Sequence, residues 1–500
     1  MGYTLPQTAQ NLRTPVEVLL LPSILRVPQR FVWLVLGLVT VAALVHLNAD
    51  APWHVLWSLD DPSRYTDEGW YASGALNHRL FGHWLRPGDF NPMVTVPVWS
   101  LLVAGLFHFT GISLAWARAL AVLFNFGTVL LGGLLLKDEA RSKRLVYMLL
   151  LGTSPILFYF ARQSLLESPL VFFLMAAAVL ANRTRGSVVS SVGCGLVFAL
   201  AMVTKSSALF VAPALLYLLW LRNPTGRIAR IATPVLIAAV TFGLYWLLCI
   251  HSHPADFKAL YRENAPVLNL HSIEKAVRLV YRCFTWADPI FFLLALLAAA
   301  AAFTRLPALR RDPLFGFAGL WFLGYSGFMV LHIAASPHYF TVLIFPIMLL
   351  AVLLLGSLEG TTSRFAQAIN VLALLAVLWN TAYIGKMLLM HQHYTFHDAC
   401  LQIRQHIEAD PTAKHLVLGH GAMETTFYTL VPALDDIGAT PVPDKLQQDK
   451  PGWLLIYNID ADIYQKPIYT DHYNFILEGE YPVFEQPVRN RLMLYRIVTK

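Results

Sequence analysis

Tyr65-Thr66-Asp67-Glu68-Gly69-Trp70-Tyr71 places two adjacent carboxylates among aromatic residues, soon after the first long apolar stretch of the chain, residues 31–49. Charged side chains near hydrocarbon cost about 2.5–3.5 kcal/mol each on insertion scales, so acids kept between membrane segments mark a candidate functional mouth. The same pair also reads as a solvated loop that happens to carry two acids. The rest of the chain has to separate these readings.

Around this stretch the chain is dominated by apolar material. Of 500 residues, 57% are hydrophobic and 13% charged, with a mean hydropathy of +0.55. A soluble core does not bury that much, and a polytopic α-helical membrane protein follows. The formal charge of +7 is carried by short Lys/Arg clusters between apolar runs, which is a topology pattern and not a nucleic-acid footprint. Cys194, Cys249, Cys283 and Cys400 lie far apart and lack metal-ligand spacing.

Residues 1–30 carry Arg13, Arg26 and Arg30 ahead of an uncleaved first span, which puts the N-terminus in the cytoplasm. Residues 50–93 then form an outer loop. If 94–110 and 116–136 both crossed, the cluster from Lys137 to Arg144 would lie outside, against the positive-inside rule. The segment 94–110, punctuated by Pro92 and Pro97, is therefore expected to dip into the outer interface, extending the outer region 50–115. With further spans near 145–161, 169–182, 188–204, 207–221, 231–250, 288–304, 314–333, 339–356 and 367–387, the basic clusters around Arg183, Arg222, Arg310 and Arg364 all fall inside. The total is about eleven spans within the membrane region 31–390.

That topology puts the loop 251–287 and the tail 391–500 outside. In the tail, apolar runs at 415–418 and 453–457 alternate with a helical stretch at 395–407, and glycines and prolines punctuate them. The pattern predicts a small α/β domain. Gly419-His420-Gly421 is too short for a phosphate loop and reads as turn chemistry.

Three further places carry candidate chemistry on the outer face. In Arg162-Gln163-Ser164-Leu165-Leu166-Glu167-Ser168-Pro169, Ser168 suits an N-cap and Pro169 a first helical position, so a positive helix end beside Arg162 favours an anion. An Arg162–Glu167 ion pair closing a loop is the structural alternative. Lys205, between two spans with almost no polar loop, opposes the positive-inside rule and reads as either a snorkelling side chain or a phosphate ligand. His338-Tyr339 follows Pro337 at the start of a span, where a capping or core histidine competes with a ligand.

An acidic pair in the first outer loop, Glu167 before a span, Thr204-Lys205 after another, His338-Tyr339 before a late span and an α/β tail together resemble the GT-C glycosyltransferases. The branch is that of the protein O-mannosyltransferases and the lipid A aminoarabinose transferase, and the resemblance covers most of the membrane region. It implies a GT-C fold in a bacterial inner membrane and a sugar donor linked to polyprenyl phosphate. It also implies a lipid, glycan or protein acceptor, with Asp67 as catalytic base beside Glu68. Glu167 then matches the second acidic position and Lys205 the lysine that holds the lipid phosphate, with Arg162, His338 and Tyr339 around it.

The chain departs from the pattern twice. Asn91-Pro92 stands where the lipid A branch has a lysine before the proline, and Glu167 stands where members often carry Asp. Trp70, Tyr71 and Asn91 are candidates for sugar or acceptor contact, the two aromatics alternatively for headgroup anchoring. No nucleotide-binding loop or metal-ligand set is visible, and a divalent cation is the one cofactor left open. A transporter moving a lipid-linked glycan without bond cleavage is the second reading; the lack of an internal repeat and the gathering of charge at one face oppose it.

Overall fold

The computed structural model describes residues 26–50, 67–183, 187–223, 226–264, 312–332, 336–357, 364–484 and 489–500, with isolated positions between 274 and 309. Tyr65, Thr66, Cys283 and the expected span 288–304 lie outside the described residues.

The membrane region is built from apolar helices. Among the described residues five are long and apolar enough to cross a bilayer: Leu114–Leu135, Arg227–Ile250, Pro313–Leu331, Pro337–Ser357 and Gln367–Leu389. A sixth crossing is a broken one, Arg141–Gly152 (α5) followed by Pro155–Ala161 (α6) after a 56° bend. The break has a local cause. Pro155 cannot continue α5, and Ser154 restarts the helix by accepting from the Leu157 N–H. Shorter apolar helices are α1 (Gln29–Ala43), α3 (Pro97–Thr110), α7 (Glu167–Asn182) and α8 (Val188–Thr204). The segment expected to dip into the interface is α3, which is only 14 residues long and ends at Gly111, whose φ of 77° suits glycine. α4 (Leu114–Leu135) then has the length to cross, and α7 packs against both α4 and α8.

The acidic stretch is helical where a loop was expected. α2 (Asp67–Phe81) starts at the acidic pair and ends near His78 and Arg79, so acids meet the positive end of the helix and bases the negative end. Ala72, Ser73, Gly74 and Ala75 let it lie close on α3, and Ser100 of α3 donates to the Tyr71 carbonyl at 2.6 Å.

Residues 395–499 form a separate α/β unit. Its five-stranded sheet has the order β2-β1-β3-β5-β4, with β1 (Val417–Leu418), β2 (Ala433–Leu434) and β3 (Trp453–Tyr457) parallel, and β5 (Arg491–Thr499) antiparallel to β3 and β4 (Tyr473–Pro482). The continuous apolar run of β3 is explained by burial on both faces. Trp453, Leu455 and Tyr457 pack with Phe396 and Ile403 from the helix Thr395–Ala409, while Leu454 and Ile456 pack with Leu446 and Tyr464 on the other side. The Gly419-His420-Gly421 turn is turn chemistry, as its residues suggest. Both glycines have positive φ, 139° and 80°, and a Cβ on Gly419 would lie 2.1 Å from the Leu455 carbonyl oxygen.

This unit is docked onto the segment 67–91 by polar contacts that are buried. Lys445 donates to Asp89 at 2.8 Å, with side chains 2% and 1% exposed, and also to the Asp435 and Ile437 carbonyls at 2.7 Å. The Asp435 N–H donates to the same Asp89 oxygen at 3.0 Å. Asp50, at the end of the first apolar stretch, accepts from the Thr395 and Phe396 N–H groups and so caps the helix Thr395–Ala409 from outside. Removing one partner of a buried pair leaves an uncompensated charge. Lys445→Ala is therefore expected to destabilise this docking by about 3–5 kcal/mol, and an Asp89→Leu/Lys445→Met double variant to recover most of it. Thermal unfolding of the detergent-solubilised protein checks this; equal losses in the single and double variants would refute it.

Candidate active site

Four residues from three separate stretches converge at one buried point. Lys205, immediately after α8, forms an ion pair with Glu167 at the first turn of α7 and lies 4.0 Å from the centre of the Tyr339 ring. His338 Nε2 is 3.7 Å from the same Glu167 oxygen. His338 and Tyr339 are delivered by the short turn Pro337–Tyr339 ahead of the helix Phe340–Ser357. The chain keeps this charge inside because each group has an opposite or polarisable partner, the condition for buried ions. Lys205 has three N–H donors, of which Glu167 engages one.

Ser168 does not cap α7, contrary to the sequence expectation. The helix begins at Glu167 with Leu166 before it, so the carboxylate itself occupies the positive helix end. Ser164, two residues before Leu166, instead donates its N–H to Glu68.

Asp67 and Glu68 turn to different surroundings. Glu68 is fully buried, with Oε1 accepting from Arg118 Nε at 2.8 Å and from the Ser164 N–H at 2.6 Å, and Oε2 accepting from Arg118 Nη2 at 2.5 Å. Both its oxygens are engaged. Asp67 is half-buried at the first position of α2. Burial pushes the Tyr71 phenol well above its usual range, and Asp67, Tyr339 and Glu167 push it the same way.

Arg162 stands apart. Its guanidinium donates to the Val45 and His46 carbonyls at 3.0 and 3.4 Å and lies over Phe158, and burial with the nearby Arg118 pushes it down to about 10. The expected grouping of Arg162 with Lys205, and the alternative Arg162–Glu167 pair, both give way to this contact with the end of the first apolar stretch.

Two contact candidates are placed in the docking seam. Trp70 donates to Asp435 and packs on Phe90 and His420, with ring centres 4.9 and 5.9 Å away, so its ring serves the α/β unit and neither a headgroup belt nor a sugar face. Asn91 accepts from the Arg86 N–H and donates to the Arg86 carbonyl at 2.7 Å and to Asp256 at 2.8 Å, which occupies its amide within the outer loops. The missing lysine at this position is thus replaced by a loop-organising residue.

Arg118 and Glu424 escaped the sequence reading. An arginine near the start of an apolar span was the available signal for Arg118. Nothing local marks Glu424, which reaches the site from the helix Ala422–Thr429 (α16) of the α/β unit. Among the described residues, His420, Asp435 and Asp436 are the group whose ligand atoms approach within 4.8 Å of one another, and they are the residues suited to a divalent cation. His420 already lies 3.3 Å from Asp436, an ion pair when protonated, and that contact raises its proton affinity.

No family model matches the chain, and no curated protein matches it by sequence. Among solved structures it is similar to ArnT from Cupriavidus metallidurans, in the apo state at 14% identity and TM-score 0.61 over 93% of this chain and 98% of that one. The ArnT crystal structure bound to undecaprenyl phosphate gives 13% identity and TM-score 0.63, over 94% and 98%. The chain has the GT-C fold. The oligosaccharyltransferase of Archaeoglobus fulgidus, a further GT-C structure, is similar at 11% identity and TM-score 0.53, over 94% of this chain and 76% of its own length.

Burial first, then Glu68 and Asp67, push the Glu424 carboxyl well above its usual range. An acid whose proton affinity rises on folding stabilises the fold fully below its unfolded pKa and loses that contribution as pH rises through the folded value. Stability is accordingly expected to fall as pH rises from about 4.3, the ordinary glutamate value, and Glu424→Gln to flatten that slope. Unfolding midpoints across the pH range decide; identical slopes in the two proteins would count against the assignment.

Proposed function

We propose that this chain is an inverting glycosyltransferase that moves a sugar from a polyprenyl-phosphate donor to an acceptor at the outer face of the membrane. The observation that carries the reading is the convergence of Glu167, Lys205, His338 and Tyr339 in one buried cluster within a GT-C fold. The similar ArnT structure with bound undecaprenyl phosphate supports a donor of this lipid class.

In this mechanism Lys205 neutralises the leaving phosphate, using the ammonium donors that Glu167 leaves available. Glu167 and Tyr339 hold the ammonium in place, so the field is present before charge develops on the leaving oxygen. Asp67 takes the proton of the acceptor hydroxyl or amine as it attacks the anomeric carbon. Glu68, tied to Arg118 and Ser164, fixes the start of α2 and with it the position of Asp67. Single displacement inverts the anomeric centre. A transporter needs no base at this mouth, and a half-buried carboxylate at the start of α2, Asp67, favours transfer.

Asp67→Asn is expected to lower transfer by about 10²–10⁴-fold while donor binding persists. Lys205→Ala is expected to weaken donor binding by about 1.5–3 kcal/mol, and Lys205→Arg to restore it only in part, since a planar fork and a point charge fit one phosphate differently. Radiolabelled polyprenyl-phosphate sugar with a membrane extract as acceptor source reads both effects. Release of polyprenyl phosphate supports transfer, whereas intact donor crossing liposomes supports the transporter.

The proposed topology has about eleven spans, with the N-terminus in the cytoplasm and residues 391–500 outside. A cysteine introduced near residue 430 is expected to react with a membrane-impermeant thiol reagent on spheroplasts. Protection there until lysis would reverse the topology.

A further inference from the structure

A base that collects a proton in every transfer has to lose it before the next. Where α2 abuts α16, Glu68 and Glu424 line one crevice, and Asp67 stands beside Glu68 at the start of α2. Glu68 has both oxygens engaged by Arg118 and Ser164. Glu424 is only 1% exposed, yet among the described residues its Oε2 has no hydrogen-bond partner. Leaving a buried polar group unpaired costs its desolvation without a compensating hydrogen bond, so a position used only for packing would favour an apolar side chain.

The approach of Glu424 to the acidic pair is built into the backbone. A Cβ on Gly69 would lie 2.3 Å from the Glu424 nitrogen, so only glycine next to Glu68 lets α16 come this close. The groups that face Glu424 are Asp67 and Glu68 on α2, Arg118 on α4, Cys400 on the helix Thr395–Ala409, and Tyr428 on its own helix. A crevice lined by Asn48, Asp50, Glu68, Arg118, Gln163 and Glu424 runs beside them and has room for about one water.

We propose that Glu424 is the group through which the proton collected by Asp67 leaves the site, so that the α/β unit takes part in turnover. The proposal rests on the transferase reading above. In the transfer step the acceptor O–H or N–H bond breaks as the bond to the anomeric carbon forms. The bond from that carbon to the phosphate oxygen breaks, its electron pair staying on the polyprenyl phosphate, and the proton is on Asp67. Glu424, protonated between turnovers because burial and two carboxylates surround it, releases its own proton to the crevice and accepts the one from Asp67. Asp67 is returned ionised, and one proton has left the protein.

The test compares single-turnover with steady-state transfer by the full-length Glu424→Gln variant, using radiolabelled polyprenyl-phosphate sugar. The amide keeps the size and neutrality of the resting side chain. Single-turnover transfer is expected to stay within about twofold of wild type, while the steady-state rate falls by about tenfold or more and recovers in part with added azide or formate. Asp67→Asn is expected to lose both phases. Glu424→Asp, which keeps a titratable group, is expected to retain more of the steady-state rate than Glu424→Gln, and this covers a folding defect of the amide. A wild-type steady-state rate in Glu424→Gln overturns the proposal, as does an equal fall of both phases without rescue by small acids. Either of those outcomes leaves the transferase reading standing; absence of transfer by the wild-type chain removes that reading and the proposal with it.

Discussion

The contact between Arg118 and Glu68 ties together parts of the chain that are far apart in sequence. Arg118 belongs to α4, Glu68 to α2, and the Ser164 N–H that also binds Glu68 belongs to the turn between α6 and α7. The remaining guanidinium nitrogen donates to the Leu47 and Ala49 carbonyls at 2.5 and 3.1 Å, just beyond α1. Desolvation of the two ions offsets most of their attraction, so such a pair is weak evidence for stability. Its consequence is geometric. Each hydrogen bond has a buried partner that would be left unpaired if any one segment moved, and the start of α2 is held where Asp67 faces Tyr71.

The α/β unit is joined to this node and is more than a cover for it. Its buried Lys445 neutralises Asp89, its Asp435 accepts from Trp70, and its α16 places Glu424 against Gly69. All three contacts fall on the same outer segment that carries the acidic pair. A displacement of the unit would therefore expose one buried ion pair and alter the field at Asp67 in one motion. The coupling between docking and chemistry follows from the low dielectric of the seam, where carboxyl groups act on one another with little screening.

The Lys205 cluster obeys a different constraint. A lysine between two apolar helices needs a counter-charge, and Glu167 at the start of α7 supplies it while the Tyr339 ring accepts the other face of the ammonium. Tyr339 and His338 arrive from a turn more than 130 residues away in sequence, delivered by Pro337. Glycine serves the fold at the opposite end of the scale: at Gly69 in the seam and at Gly419 inside the sheet, as at several other glycines, any side chain would collide with backbone.

Hydropathy and charge placement alone determined the membrane class, most helix positions and the α/β character of the tail, because these depend on local composition and on period, whereas the bend at Pro155 within the expected span 145–161 came from the structure. They also marked Asp67, Glu68, Glu167, Lys205, His338 and Tyr339, since a charge beside hydrocarbon is conspicuous in any one-dimensional reading. Only the tertiary structure decided what each residue faces. It separated Glu68 from Asp67, turned Arg162, Trp70 and Asn91 away from the expected sugar site, and brought Arg118 and Glu424 in. Those outcomes depend on distance through space and on which hydrogen-bonding groups are left to pair once helices pack, and neither quantity is local in sequence.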